Sequence, residues 1–143
     1  MSDPLKIMVV DDESIVGKRL KSALEKSGYV VEVCEDGSSA VRRIDEQVFD
    51  IVVTDVRMEG VDGLEVLRQV RARSPRTAVI MITGYATVDV AREALTLGAF
   101  DFIAKPFRLD DLRTAITRAA AHLAATPTPD TTAERGPGAG RAG

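Results

Sequence analysis

Residues 7–14, IMVVDDES, decide the fold: four apolar side chains in a row, three of them β-branched, stop abruptly at two aspartates and a glutamate. The run is too short for a helix and lacks the alternation of a strand with one wet face. It reads as a strand buried on both sides, the kind found in parallel sheets covered by helices. Similar runs recur at 29–34, 51–54, 78–83 and 100–103.

Helical periodicity fills the gaps between them. Val16, Leu20, Ala23 and Leu24 fall at i, i+4, i+7 and i+8, and Gly28 follows where a left-handed C-cap would end the helix. The stripe returns in Ala40, Val41 and Ile44, in Leu64, Leu67 and Val70, in Val88, Ala91 and Leu95 ahead of Gly98, and in Leu109, Leu112, Ile116, Ala119 and Leu123. Five βα units in succession predict an α/β, three-layer sandwich with a parallel five-stranded sheet.

A chain of 143 residues, 45% of them hydrophobic, is long enough for one well-buried core and too short for two ordinary domains. That core is expected over residues 1–125. From residue 126 the composition shifts to TPTPDTTAERGPGAGRAG, without a large aliphatic or aromatic side chain, and such a segment cannot bury enough surface to offset its ordering entropy. Residues 126–143 are therefore expected to be a disordered tail or a linker stub.

A net charge of −3 and a pI near 5.2, with basic residues scattered along the chain, argue against a direct nucleic-acid surface. The apolar runs are far shorter than a bilayer requires. One cysteine, Cys34, cannot form an internal disulfide, and the opening MSDPLK has no apolar signal segment. A soluble, cytoplasmic protein is expected.

In parallel α/β sheets, reactive polar groups collect beyond the carboxyl ends of the strands. Here those ends carry Asp11, Asp12 and Glu13 after the first strand, Asp55 after the third, Thr83 after the fourth and Lys105 after the fifth. Asp11, Asp12 and Asp55 brought together would resist ionisation unless a cation sat among them, and Mg²⁺ suits an all-oxygen site. Lys105 supplies a second positive charge and Thr83 a hydroxyl. The set suits phosphoryl transfer with a carboxylate as acceptor, and Asp55, alone at its strand tip before VRMEGVDG, is the best candidate.

The segments VVDDE (9–13), DIVVTDVRMEGVDGLEVL (50–67), VIMITGYA (79–86) and GAFDFIAKPF (98–107) resemble the receiver domains of two-component response regulators, most closely those of nitrogen-regulator-type activators. The resemblance covers about residues 5 to 123 and implies a flavodoxin-like (βα)5 fold with strand order 2-1-3-4-5. It implies that Asp55 is the phosphoacceptor, charged by a sensor histidine kinase. Mg²⁺ would be held by Asp12, Asp55 and the backbone carbonyl of Arg57, with Asp11 behind them holding water and metal. Lys105 would pair with the phosphoryl group, Thr83 would move to bond it, and Phe102 would be the aromatic switch. The Lys105–Pro106 peptide would be cis. The surface of the fourth helix, fifth strand and fifth helix would then change, to control an output domain or partner or to form a homodimer.

Two positions depart from the family pattern. Glu59 stands where proline is usual in the loop after the acceptor, and Phe102 has no hydroxyl, so any switching by that ring must come from packing. Other readings compete for the same residues. Asp12, Glu13 or Ser14 could simply cap the helix that follows. Thr83 could be an ordinary β-branched strand end, Phe102 a core aromatic, Cys34 a small core residue, and His122 a dipole partner at a helix end. At the level of function the rivals are a Mg²⁺-dependent phosphohydrolase passing through an aspartyl phosphate, whose usual Asp-x-Asp is absent here, and a receiver-like binding module that takes no phosphate.

Overall fold

The computed structural model describes residues 4–58, 60–84 and 87–125. Five strands alternate with five helices: β1 (Lys6–Val10), α1 (Ser14–Lys26), β2 (Val30–Cys34), α2 (Gly37–Glu46), β3 (Ile51–Asp55), α3 (Gly63–Arg73), β4 (Ala78–Thr83), α4 (Val88–Thr96), β5 (Asp101–Ala104) and α5 (Leu109–Ala125). Neighbouring strands are all parallel, in the order β2-β1-β3-β4-β5. The expected flavodoxin-like topology is therefore the one adopted. The tail expected over 126–143 lies outside the described residues, as do Glu59 and Tyr85.

The side-chain period of two in each strand explains the layers. Ile7 and Val9 of β1, Ile51 and Val53 of β3, and Ala78, Ile80 and Ile82 of β4 point to one face, where they pack with Leu20 and Leu24 of α1 and with Leu112, Ala115, Ile116, Ala119 and Leu123 of α5. Met8, Val10, Val52, Val79 and Met81 point to the other, against Ala40 and Ile44 of α2, Val66, Leu67 and Val70 of α3, and Ala94 of α4. Both faces being covered, β3 and β4 are buried along their whole length. A side chain such as Ile80 or Ile116, wholly buried here, is worth about 1.5–3 kcal/mol in apolar transfer.

Helix ends follow local chemistry. Asp36, Asp62 and Thr87 cap α2, α3 and α4, each accepting a hydrogen bond from the amide three residues on. Gly28 and Gly98 end their helices with φ of 96° and 102°, a conformation that penalises any residue with a Cβ. Strand boundaries differ from expectation by a residue or so. The difference that matters is at β3, which runs one residue further and makes Asp55 the last residue of the strand itself. The chain passes from β1 outward to β2 and then returns to the opposite side of β1 as β3, so the strand order reverses between β1 and β3, beside Asp11 and Asp55.

Candidate phosphoacceptor site

Asp55 is 6% exposed at the tip of β3. Its Oδ1 accepts a hydrogen bond from the Arg57 amide at 3.1 Å and its Oδ2 accepts one from Lys105 Nζ at 2.7 Å. The lysine reaches across from β5, where its own amide donates to the Thr83 carbonyl at 2.8 Å, extending the β4–β5 ladder by one step. The Lys105–Pro106 peptide that follows is cis.

Asp11 is wholly buried. Its amide donates to the Cys34 carbonyl at 3.1 Å, which carries the β1–β2 ladder past the strand end and fixes the side chain inward. Oδ1 accepts from the Glu13 amide at 2.8 Å, while Oδ2 is buried without a hydrogen-bond partner. Burial pushes the Asp11 carboxyl above the ordinary range; the Glu13 amide and Lys105 pull the other way without cancelling it, and the charges of Asp55 and Glu13 add to the rise. For Lys105, burial alone would lower the pKa. The hydrogen bond and charge of Asp55, with the charges of Asp11 and Glu13, outweigh that and raise it. The ammonium thus stands 2.7 Å from Asp55, 3.7 Å from Asp11 and 4.0 Å from Glu13 as their shared counter-charge.

The expected residues are not all gathered to the same degree. Asp11, Asp55 and Lys105 converge, whereas Asp12 is exposed and Arg57 presents an exposed side chain behind a backbone held to Asp55. Among the described residues no three His, Cys, Asp or Glu side chains close into a metal cage. A hard divalent ion nevertheless fits the donors present. Asp11 offers a buried oxygen that makes no hydrogen bond, Asp55 shares the same lysine, and Mg²⁺ completes its shell with water and few protein groups. The capping alternative for the acidic run is not what the helix uses: Glu13 is the N-cap residue of α1, and no side chain bonds there as a cap.

Thr83 is fully buried at the end of β4, and Phe102 is half-buried on β5 beside Met81, packed against the α2–α4 side of the core. The Cys34 thiol is buried and pushed up to about 11, chiefly by that burial, which suits a core residue and not a nucleophile. His122 stacks at 5.5 Å on Phe100 near the end of α5, at the edge of the sheet away from Asp55.

Three supports of the site are not evident in the sequence. The Thr54 hydroxyl donates to the Asp55 carbonyl at 3.0 Å within the core. Gly63 lies so close to Asp55 that a Cβ there would come within 2.0 Å of the same carbonyl, and its amide donates to the Val56 carbonyl at 2.9 Å. Gly37, on α2, touches the other end of the loop. For Gly63 the capping aspartate before it marks only a helix start and not the close approach to Asp55.

With that geometry in place, comparison with known proteins is decisive: residues 7–117 match the model of the response regulator receiver domain. The chain belongs to that family. It is 38% identical over 120 residues to the transcriptional regulatory protein ZraR of Escherichia coli (strain K12), covering 84% of this chain and 27% of that one. It is 34% identical over 116 residues to the DNA-binding transcriptional regulator NtrC of the same strain, covering 81% and 25%. The solved structure of the beryllofluoride-activated NtrC4 receiver domain dimer superimposes with a TM-score of 0.78 at 33% identity, covering 82% of this chain and 98% of that one. This receiver domain is thus of the NtrC type, and it spans about a quarter of the length of these curated relatives. Among the described residues no helix is long and apolar enough to cross a membrane.

Proposed function

We propose that this receiver accepts a phosphoryl group on Asp55 from the phosphohistidine of a sensor kinase and relays the event through α4, β5 and α5. A carboxylate oxygen of Asp55 attacks phosphorus, the N–P bond breaks, and the imidazole leaves with its electron pair. The observation that carries this reading is the Asp55–Lys105 contact of 2.7 Å: the acceptor is presented with a cation already on one of its oxygens. That ammonium can transfer to a phosphoryl oxygen as charge builds up. Mg²⁺, held by Asp12, Asp55 and the Arg57 carbonyl with Asp11 behind them, would supply charge neutralisation on the phosphoryl oxygens.

Phosphorylation replaces one negative charge by about two and adds acceptor oxygens. The Thr83 hydroxyl is buried before the event, so bonding those oxygens requires the end of β4 to open toward Asp55. That movement vacates space beside Phe102, which the half-buried ring fills by packing alone. The surface affected carries Val88 and Leu95 on α4, 69% and 54% exposed, which suit an interface between two copies of the domain. The output is either a domain joined to this one, as the transcription-regulator names of the longer relatives suggest, or a separate partner in the cytoplasm.

Intact mass after incubation with a small acyl phosphate and Mg²⁺ tests the proposal. Wild type gains one phosphoryl group and Asp55→Asn gains none. Equal uptake by both proteins, or steady release of phosphate from a phosphate ester, defeats it and favours a different acceptor or a hydrolase.

A further inference from the structure

The short loop between β3 and α3 matters to the proposed site because it carries Arg57, whose amide donates to Asp55 and whose carbonyl would be a metal ligand. At its two ends it is fixed by the Val56 amide on the Ile82 carbonyl at 3.0 Å, the Gly63 amide on the Val56 carbonyl, and the Asp62 cap on the Glu65 amide at 3.0 Å. Near its α3 end it is also braced from another part of the chain. Gly37, the first residue of α2, is buried against Val61: a Cβ at 37 would lie 2.0 Å from the Val61 carbonyl oxygen, 2.8 Å from its carbon and 2.9 Å from its Cβ. Two of those three atoms are backbone, so no rotamer change relieves the clash. Gly37 is not among the positive-φ glycines, so its backbone conformation does not call for glycine. Contact with the loop does.

Helix α2 is poorly able to retreat. Arg43 binds both carboxylate oxygens of Glu32 on β2, at 2.5 and 2.9 Å, and also Glu46 and Gln47. Asp45 is bound by Arg73 of α3, and Ala40 and Ile44 are embedded in the core. Added bulk at the first turn of α2 therefore displaces the Val61 peptide, and with it the loop that carries Arg57.

We infer that Gly37 is a positioning residue for the divalent ion: the bare first turn of α2 is a backstop against Val61 for the β3–α3 loop, on which lies Arg57, whose carbonyl would be a ligand. The inference rests on the reading of this pocket as a Mg²⁺-assisted phosphoacceptor site. Mg²⁺ demands nearly ideal octahedral geometry with oxygens at about 2.0–2.1 Å, so a displaced carbonyl is a lost ligand. A loop already held in shape also spares the ion the entropy of ordering it.

The test is a Mg²⁺ titration of the whole chain followed by backbone amide resonances. Gly37→Ala should weaken Mg²⁺ binding by about tenfold or more, the scale on which supporting contacts act at metal sites. Gly28→Ala is the control for general destabilisation, because Gly28 has φ of 96°, has nothing within 4 Å of its would-be Cβ, and belongs to neither α2 nor the loop. It should lower the melting temperature and leave Mg²⁺ affinity unchanged. A folded Gly37→Ala protein with wild-type affinity overturns the inference, and so does an equal loss in Gly28→Ala. Should Gly37→Ala fail to fold, the wild type decides: the Gly37 and Ser38 amides must shift along the same saturation curve as Val56 and Arg57, and their indifference overturns it. Absence of any Mg²⁺ binding by wild type would instead strike at the phosphoacceptor reading.

Discussion

Lys105 Nζ lies 2.7 Å from Asp55 Oδ2, joining residues 50 positions apart across the ends of three adjacent strands. The same ammonium also faces Asp11 at 3.7 Å and Glu13 at 4.0 Å, so the contact neutralises a cluster of carboxylates. Lys105→Met removes the charge while keeping an unbranched side chain. Uptake of phosphate at Asp55 from a small acyl phosphate should slow by about 10²-fold, the cost of losing one positioned donor to a developing oxyanion. Time-resolved intact mass checks this, and wild-type uptake by the variant would remove the lysine from the reaction.

In the proposed mechanism Thr83 would separate uptake from response. Its side chain is buried at the end of β4. Thr83→Ala should still be phosphorylated, but amide shifts of α4, β5 and α5 on adding beryllofluoride and Mg²⁺ should shrink to a fraction of the wild-type changes. Full-sized shifts in the variant would mean that the threonine does not couple the two regions.

The exposed apolar side chains of α4 suit a second copy of the domain. Leu95→Asp puts a charge at a position 54% exposed, where it costs the isolated domain little. The phosphorylated or beryllofluoride-bound protein should then remain monomeric in sedimentation velocity under conditions where wild type dimerises. Unchanged dimerisation would place the contact on another face.

Acid should act through Glu32. The hydrogen bond from Arg43 holds its carboxyl below the ordinary 4.5 despite opposing burial. A carboxylate with a lowered folded-state pKa stabilises the fold above its unfolded value, and that contribution disappears as pH falls through the folded value. Glu32→Gln should therefore melt at a lower temperature than wild type at neutral pH, and the gap should close as pH is taken below about 4.5. Thermal melts of both proteins across that range suffice; a gap that widened in acid would contradict the assignment.

The sheet was legible because its central strands carry their burial in composition. IMVV, IVVT and AVIMIT have no polar face, and only a sheet covered on both sides accommodates that. β5 was the weakest signal, since only part of each residue in Asp101–Ala104 is covered and its start is set by pairing with Ile80, a long-range fact. At the site, the strand-end rule singled out Asp55, Lys105 and Thr83, and the first two meet at 2.7 Å. It could not tell which of two adjacent aspartates turns inward. The ladder bond from Asp11 to Cys34 decides that, burying Asp11 and leaving Asp12 outside. Gly37 and Gly63 were hidden for a similar reason, because what forbids a side chain at each is the backbone of a segment distant in sequence or folded back over it.

The Asp55–Lys105 pair also bears on synthesis. As a nascent chain emerges, Asp55 appears early, but the lysine that pairs with it arrives only after the fifth strand. With Asp55 as the proposed acceptor, a ribosome-bound fragment ending before Lys105 would offer a kinase an incomplete target, and competence to receive a signal would arise late, with closure of the domain.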